Sequence, residues 1–507
     1  MRRLLRDEPR LLGLLIAFAC TFAFFLERPA WNQNSRLALT RAVVERGSID
    51  IDDSHQTTGD KSLRDGHYYS DKAPGASWMA IPAYAALHGL RQALDLSPPS
   101  FTVATLDPLD ALELDGDVPD ELLPGDKLSY SPAHRVALGL CALATSGLST
   151  LAVILALFVA VAHIFDHGLS RPGVSTAPRT RSREARDAAL TTCLVYGLCT
   201  PALAYATAFY GHQPAASGLF CAWVLVQIPT RLSGRGAALL AGSLCGLAVT
   251  CEYPSAAPVS LLTLYAIWAR GPRFAAWMAV AGLPWAVALA LYHQAAFGHP
   301  LSIGYDHLAR PEFAEGMRVR YGVGAPSLTN VWALLFGNHR GLFFASPVLL
   351  LAPVGLASWL MRAPSGSRAP WVVPVAVCVF YVLFNSGYYM WNGGAAFGPR
   401  HCLPMLPFLA LGIAAGRRAL PVAFWCLAGL SLLHALAGAA VGPELPEAGD
   451  PIWGAALPGV SESGPGPSRA APQTLGHLLG LPGWLGLAPL VALWLLWRPW
   501  QMPENAR

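Results

Sequence analysis

Long apolar runs dominate the chain, with short polar stretches between them. Runs long enough to cross a bilayer core as helices lie near 11–26, 133–163, 188–208, 214–230, 236–251, 255–269, 274–296, 340–361, 370–385, 402–416, 419–441 and 475–497. A further run, 73–93, carries His88 and Arg91 and is interrupted by Pro82. It suits a juxtamembrane or re-entrant helix on the outer side better than a span. The pattern predicts an all-α polytopic membrane protein with about 12 transmembrane helices. Its organisation is a first span within 1–26, an outer loop at 27–132 with juxtamembrane helices, and a helical core at 133–441. A second outer loop follows at 442–474, then a last span and tail at 475–507. Segments 94–132 and 442–474 read as irregular loops, and no sequence repeat is present.

The charges are sorted along this pattern. Lys and Arg in short loops mark the cytoplasmic side. Arg2, Arg3, Arg6 and Arg10 precede the first run, and Arg171, Arg179, Arg181, Arg183 and Arg186 fill the next short basic loop. Arg231/Arg235, Arg270/Arg273, Arg362/Arg368, Arg417/Arg418 and Arg498 continue the series. All agree if 73–93 does not cross and both termini are cytoplasmic, as in a bacterial inner-membrane protein. Every polar, aromatic-rich loop then falls outside, and any chemistry is extracytoplasmic. Composition agrees: 54% of the 507 residues are hydrophobic and only 13% charged, which excludes a soluble, disordered or collagen-like chain. The net charge of +4 reflects topology, and no nucleic-acid partner is expected. The N-terminal run could pass for a signal peptide, but no small-residue cleavage site follows it, so an uncleaved first span is expected. The ten Cys lie in or beside apolar segments and read as small buried hydrophobes rather than a disulfide framework.

No nucleotide-binding glycine loop, HExxH, CxxC or GxSxG occurs. The first outer loop is the densest polar region, with Asp50, Asp52, Asp53, Asp60-Lys61 and Asp71-Lys72. Such carboxylates can take a proton from an acceptor hydroxyl. Arg36, Lys61 and Lys72 can hold a phosphate. Plainer roles compete. Ser70-Asp71 before Pro74 is also a good helix start. Asp52 and its neighbours can solvate a turn, Lys61 can pair with Asp60 at the surface, and an amphipathic helix over 34–46 can leave Arg36 in water. A second cluster runs from Asn385 to His401, through Tyr388, Tyr389, Trp391 and Gly393-Gly394. Tyr388 and Trp391 also fit an interfacial aromatic belt. Arg400 opens an apolar run on the outer side, against the positive-inside bias, and calls for a buried anionic partner. Glu252 lies between two apolar runs, while His212 and Asn338-His339-Arg340 are open to either reading. No spacing specifies a metal site; no cofactor is expected, with a divalent metal left open.

The order of these features resembles the GT-C superfamily of polyprenyl-phosphate-sugar-dependent glycosyltransferases. That group includes lipid A aminoarabinose transferases and protein mannosyltransferases. Arg28-Pro29-Ala30-Trp31, Asn34-Ser35-Arg36, Gly47 and Tyr69-Ser70-Asp71-Lys72-Ala73-Pro74 look like the counterparts of first-loop motifs in the aminoarabinose branch. Where that branch has an acidic pair, this chain has Gln33-Asn34, and an amide cannot be a general base. The resemblance implies transfer of a sugar from a polyprenyl-phosphate carrier to a lipid, glycan or protein acceptor, with inversion. Asp71 is the first candidate base, then Asp52 and Glu27. Lys72, Arg36 and Arg400 would stabilise the leaving phosphate, while Tyr389 and Trp391 would line the sugar or lipid path. Asn34, Lys61, His212, Glu252 and His401 complete the substrate-binding set. The rivals are a transporter or flippase for a lipid-linked or small anionic substrate, and a non-catalytic binder of polyprenyl phosphate.

Overall fold

The computed structural model describes residues 8–26, 28–105, 126–168, 178–230, 232–362, 369–447, 449–461 and 472–497. Of the residues singled out above, Arg2, Arg3, Arg6, Glu27, Arg171, Arg231, Arg368 and Arg498 lie outside these. Helices make up most of the fold. Among the described residues four are long and apolar enough to cross a membrane: Pro132–Phe165, Gly234–Cys251, Pro272–Phe297 and Pro421–Val441. Shorter apolar helices include Pro9–Phe24 and Trp371–Ser386.

Several runs expected to be continuous are broken, most of them beside a proline. Proline lacks the N–H that the preceding turn needs and clashes with its carbonyl. The run 188–208 stops at Leu198 and resumes after Pro201 as Ala202–Ala206. The run 340–361 divides into Leu342–Ala345, Pro347–Leu350 and Leu351–Arg362. The run 402–416 becomes Arg400–Met405, Leu406–Ala410 and Ile413–Ala419 around Pro404 and Pro407.

The all-α expectation also missed two hairpins. Lys61–Arg64 pairs antiparallel with His67–Ser70, and Phe101–Thr105 with Asp126–Tyr130. The first turns through Asp65-Gly66, both with positive φ, which a two-residue hairpin loop demands. The second corrects the reading of 94–132 as irregular. Likewise 442–474 is not wholly irregular, since Ile452–Ser461 is helical. The run 73–93 does form one helix, Gly75–Ala93, with Pro82 inside it.

The helices have unlike ends. At one end Arg10 reaches Asp187 (3.0 Å) and Glu8 (3.1 Å), while Arg418 reaches Glu184 (2.8 Å). Three separate segments thus bring their charges together there. At the other end Glu252 follows the helix Gly234–Cys251, and His212 opens the helix His212–Gln227. Between them the core is apolar and aromatic, with Phe18, Phe220, Trp223 and Phe408 fully buried or nearly so. The flank of Pro272–Phe297 instead exposes Val280, Leu283, Val287 and Leu291. Apolar surface of that length is stable against hydrocarbon, not water.

Candidate active site

The first hairpin builds one wall. Because Lys61 pairs with Ser70, Asp60 and Asp71 leave the ladder side by side at its open end. Lys72 fills the space between them, its Nζ 3.1 Å from Asp60 Oδ2 and 3.3 Å from Asp71 Oδ2. The helix Trp31–Arg46 fixes this end: Ser35 Oγ donates to the Asp60 carbonyl (2.6 Å) and lies 2.7 Å from Ser70 Oγ. Asp71 is buried, and its Oδ1 has no hydrogen-bond partner. Burial pushes the Asp71 carboxyl up to about 6; Lys72 opposes that rise and Asp60 adds to it. Burial works against the charge on Lys72, but the two carboxylates outweigh it and hold the ammonium above its ordinary value.

A second group lies one helical turn along. Asn32 and Arg36 share a face of the same helix, and Arg36 Nε donates to Asn32 Oδ1 (3.0 Å). Its Nη1 donates to the Ala73 carbonyl (3.0 Å), and its Nη2 lies 3.6 Å from Glu252 Oε1. Arg36 is therefore buried and engaged by protein atoms, not the water-facing side chain of an amphipathic helix. Glu252 also meets His212, with Nδ1 at 3.1 Å. Burial opposes the Glu252 charge, but His212 and Arg36 more than offset it and keep the carboxyl below its usual range. Gly211 makes this approach possible. A Cβ there would lie 2.4 Å from the Cys251 carbonyl and 2.6 Å from Glu252 Oε1.

The third group comes from the far end of the sequence. Arg400 lies beside the Tyr210 ring (5.7 Å to the centroid), and Tyr210 donates its hydroxyl proton to Glu444. Arg400 Nη1 reaches the Ala395 carbonyl at 3.4 Å, while its buried Nε has no partner. His401 Nε2 is also buried without one. Burial, with Arg400 and His212 close by, holds the His401 imidazole well below its ordinary pKa and so neutral.

These groups face one cavity of about 760 Å³. Its walls include Arg36, Asp60, Asp71, Lys72, His212, Glu252, Tyr389, Arg400 and His401. Tyr389 belongs to the rim. Its ring sits between Gly316 and Gly322, where a Cβ on either would approach to 2.3 Å. Backbone bonds from Tyr389 N to the Gly322 carbonyl (2.8 Å) and from Gly324 N to the Gly387 carbonyl (2.7 Å) fasten the two rim segments together.

Two crystal structures of ArnT from Cupriavidus metallidurans are similar to this chain. The apo state matches at 14% identity and a TM-score of 0.46, covering 84% of this chain and 62% of that one. The form bound to undecaprenyl phosphate matches at 15% and 0.43, covering 85% and 63%. The chain thus spans less than two thirds of the length of ArnT. No family model matches the sequence, and no curated protein does.

Four residues expected at the site are not on its walls. Asp52 is part-exposed, accepting from the Tyr68 N–H (2.7 Å) and pairing with His67 (2.7 Å), so it caps the hairpin. Lys61 is buried on the hairpin's other side, against His55 and the Tyr68 ring. Asn34 is tied into a structural network: its Nδ2 donates to the Thr57 carbonyl and to Tyr130 Oη, and its Oδ1 lies 3.1 Å from His134 Nε2. Trp391 packs on the apolar core. Neighbouring Gln33 donates to the Arg28 carbonyl (3.0 Å) and accepts from the Phe209 N–H (3.0 Å). Asp60, Tyr305 and Glu444 are among the wall residues that the sequence does not point to. Asp60 reads there as a partner of Lys61, whereas the hairpin register sets it beside Lys72. Tyr305 lies in a single helical turn and Glu444 in a loop, with no local pattern to reveal them. No group of His, Cys, Asp and Glu that could hold a metal ion occurs among the described residues.

Proposed function

We propose that this chain is a GT-C-type membrane glycosyltransferase that moves a sugar from a polyprenyl-phosphate carrier to an acceptor at the extracytoplasmic face. The supporting observation is the set of three buried, unpartnered polar atoms around one cavity: Asp71 Oδ1, Arg400 Nε and His401 Nε2. Unsatisfied buried groups are costly and call for a ligand. This set asks for a hydroxyl beside Asp71 and an anion beside Arg400.

In the step we propose, Asp71 Oδ1 takes the acceptor's hydroxyl proton as that oxygen attacks the anomeric carbon. The bond from that carbon to the phosphate oxygen breaks on the opposite face, and its electron pair leaves with the polyprenyl phosphate. Configuration inverts. Arg400 and Lys72 offset the charge that grows on the phosphate. Arg36 holds Glu252 and His212 in place, and Tyr389 borders the sugar path. The acceptor is a lipid, glycan or protein. We place the cavity outside a bacterial inner membrane, with about 12 spans and both termini cytoplasmic, on the sorting of arginines.

The test uses the purified full chain with a labelled polyprenyl-phosphate sugar and a membrane-lipid extract as acceptor. Asp71→Asn is expected to lower turnover at least about 100-fold, the scale of lost general base catalysis, while polyprenyl phosphate still binds. Transfer at the wild-type rate by Asp71→Asn removes Asp71 from the mechanism. Labelled donor crossing vesicles with no transfer makes the protein a transporter instead.

A further inference from the structure

Among the described residues Arg340 is a deeply buried arginine, with 1% of its surface exposed, that stands near the cavity without lining it. Its guanidinium makes no carboxylate ion pair among the described residues. It is satisfied by backbone carbonyls instead. Nε donates to Asn392 (3.2 Å), and Nη2 donates to both Gly394 (2.6 Å) and Pro446 (2.9 Å). A buried charge without a counter-ion is expensive to keep. Carbonyl dipoles alone are a modest return for a stabilising role, and apolar packing would fill the space more cheaply.

What those carbonyls belong to supplies a function. Asn392 and Gly394 lie in the same loop as Ala395, whose carbonyl accepts from Arg400. Pro446 lies in the loop that carries Glu444, the acceptor of the Tyr210 hydroxyl beside Arg400. Arg340 therefore clasps together the two loops that set where Arg400 stands. The fit is close: a Cβ on Gly393 would lie 3.1 Å from Arg400 Cγ. The clasp also adds a fixed positive charge behind Arg400, so this end of the cavity suits an anion.

We infer that Arg340 is a positioning residue for the donor phosphate, acting through Arg400. The inference rests on the transferase reading above, and it assigns the loops 392–395 and 444–446 as the frame of the phosphate subsite. A guanidinium is needed because its planar fork reaches carbonyls on both loops at once, whereas an ammonium is a single point of charge.

Binding of polyprenyl phosphate to the purified full chain tests this without requiring turnover. Arg340→Lys keeps the charge and is expected to raise Kd about tenfold, the scale of one lost hydrogen bond to a charged group. In steady-state kinetics KM for the donor should rise and kcat at saturating donor should fall as well, because Arg400 offsets charge that grows on the phosphate in the transition state. A double variant with Arg400→Gln should bind no more weakly than Arg400→Gln alone. Gly393→Ala, which presses on Arg400 and strains the loop at a positive φ while leaving the Arg340 side chain intact, should reproduce the loss, and it carries the test if Arg340→Lys does not fold. The inference is overturned if Arg340→Lys binds like wild type, even with a lowered Tm, or if the two losses multiply in the double variant. Failure of the wild type to bind polyprenyl phosphate would instead sink the transferase reading, and this one with it.

Discussion

Asp71 combines deep burial with a single cationic partner, and its carboxyl is raised to about 6. A base must be ionised to act, so the rate should climb as pH rises through about 6 and level off above it. The same shift acts on stability with the opposite sense. The folded value lies above the ordinary 3.8, so protonating Asp71 between about 6 and 4 stabilises the fold. Asp60 contributes to the shift through its own charge. Asp60→Asn should therefore move the acidic limb of the pH–rate profile to lower pH, and a limb that stays in place or moves up contradicts the arrangement. Gln33 makes the converse case. The resemblance places an acid near this position, yet the amide both donates and accepts, to the backbone, away from the cavity. Gln33→Glu should not raise turnover. It should lower stability by about 2–5 kcal/mol in denaturant unfolding, since it loses a donor and buries an unpaired charge.

At the scale of elements, hydrophobic period located the helices well and their ends poorly. The breaks at Pro201 and Pro347 are written in the sequence, but runs of apolar residues carry across a proline and mask it. The hairpin over 61–70 was legible too, since Asp-Gly between short polar strands is a turn signal; it was lost because polar strands do not alternate with apolar ones. Half of the candidate site depends on that hairpin. Its register sets Asp60 beside Asp71, and its turn needs a positive φ at Gly66 in open space. Gly66→Ala should cost about 1–2 kcal/mol through backbone strain alone. Thermal unfolding will register that loss, and turnover should fall with it if the strand ends slacken around Lys72. A melting temperature equal to wild type would mean that the turn is not held as described.

For the whole molecule, long-range assembly was the part that the sequence hid. Asp71, Glu252 and Arg400 were each picked out for local reasons, and chain separation gave no hint that they share a cavity. Asp52, Lys61, Asn34 and Trp391 had equally good local credentials and face elsewhere. The two unlike ends of the helix bundle lead to a topological prediction. In intact spheroplasts, a membrane-impermeant maleimide should label Asp53→Cys, exposed in the helical turn Asp52–Thr57 before the first hairpin. It should leave Arg418→Cys unlabelled until the membrane is opened. The reverse pattern would put the cavity on the cytoplasmic side. Native cysteines other than Cys20 and Cys426 are at least partly shielded, so background labelling is small.

The fastening at the rim bears on how two substrates are admitted. The segments around Gly322 and Tyr389 are bonded backbone to backbone and interlocked through one ring. Arg320 and Tyr321 in the same segment are both held at positive φ, a strained backbone for residues with a Cβ. On the transferase reading, and if this rim opens as one unit, a lipid-borne donor and an acceptor would share its opening. Whichever arrives first bears the opening cost, and the second then enters a site already open. Each substrate should lower the apparent KM of the other, and initial-rate plots should intersect rather than run parallel.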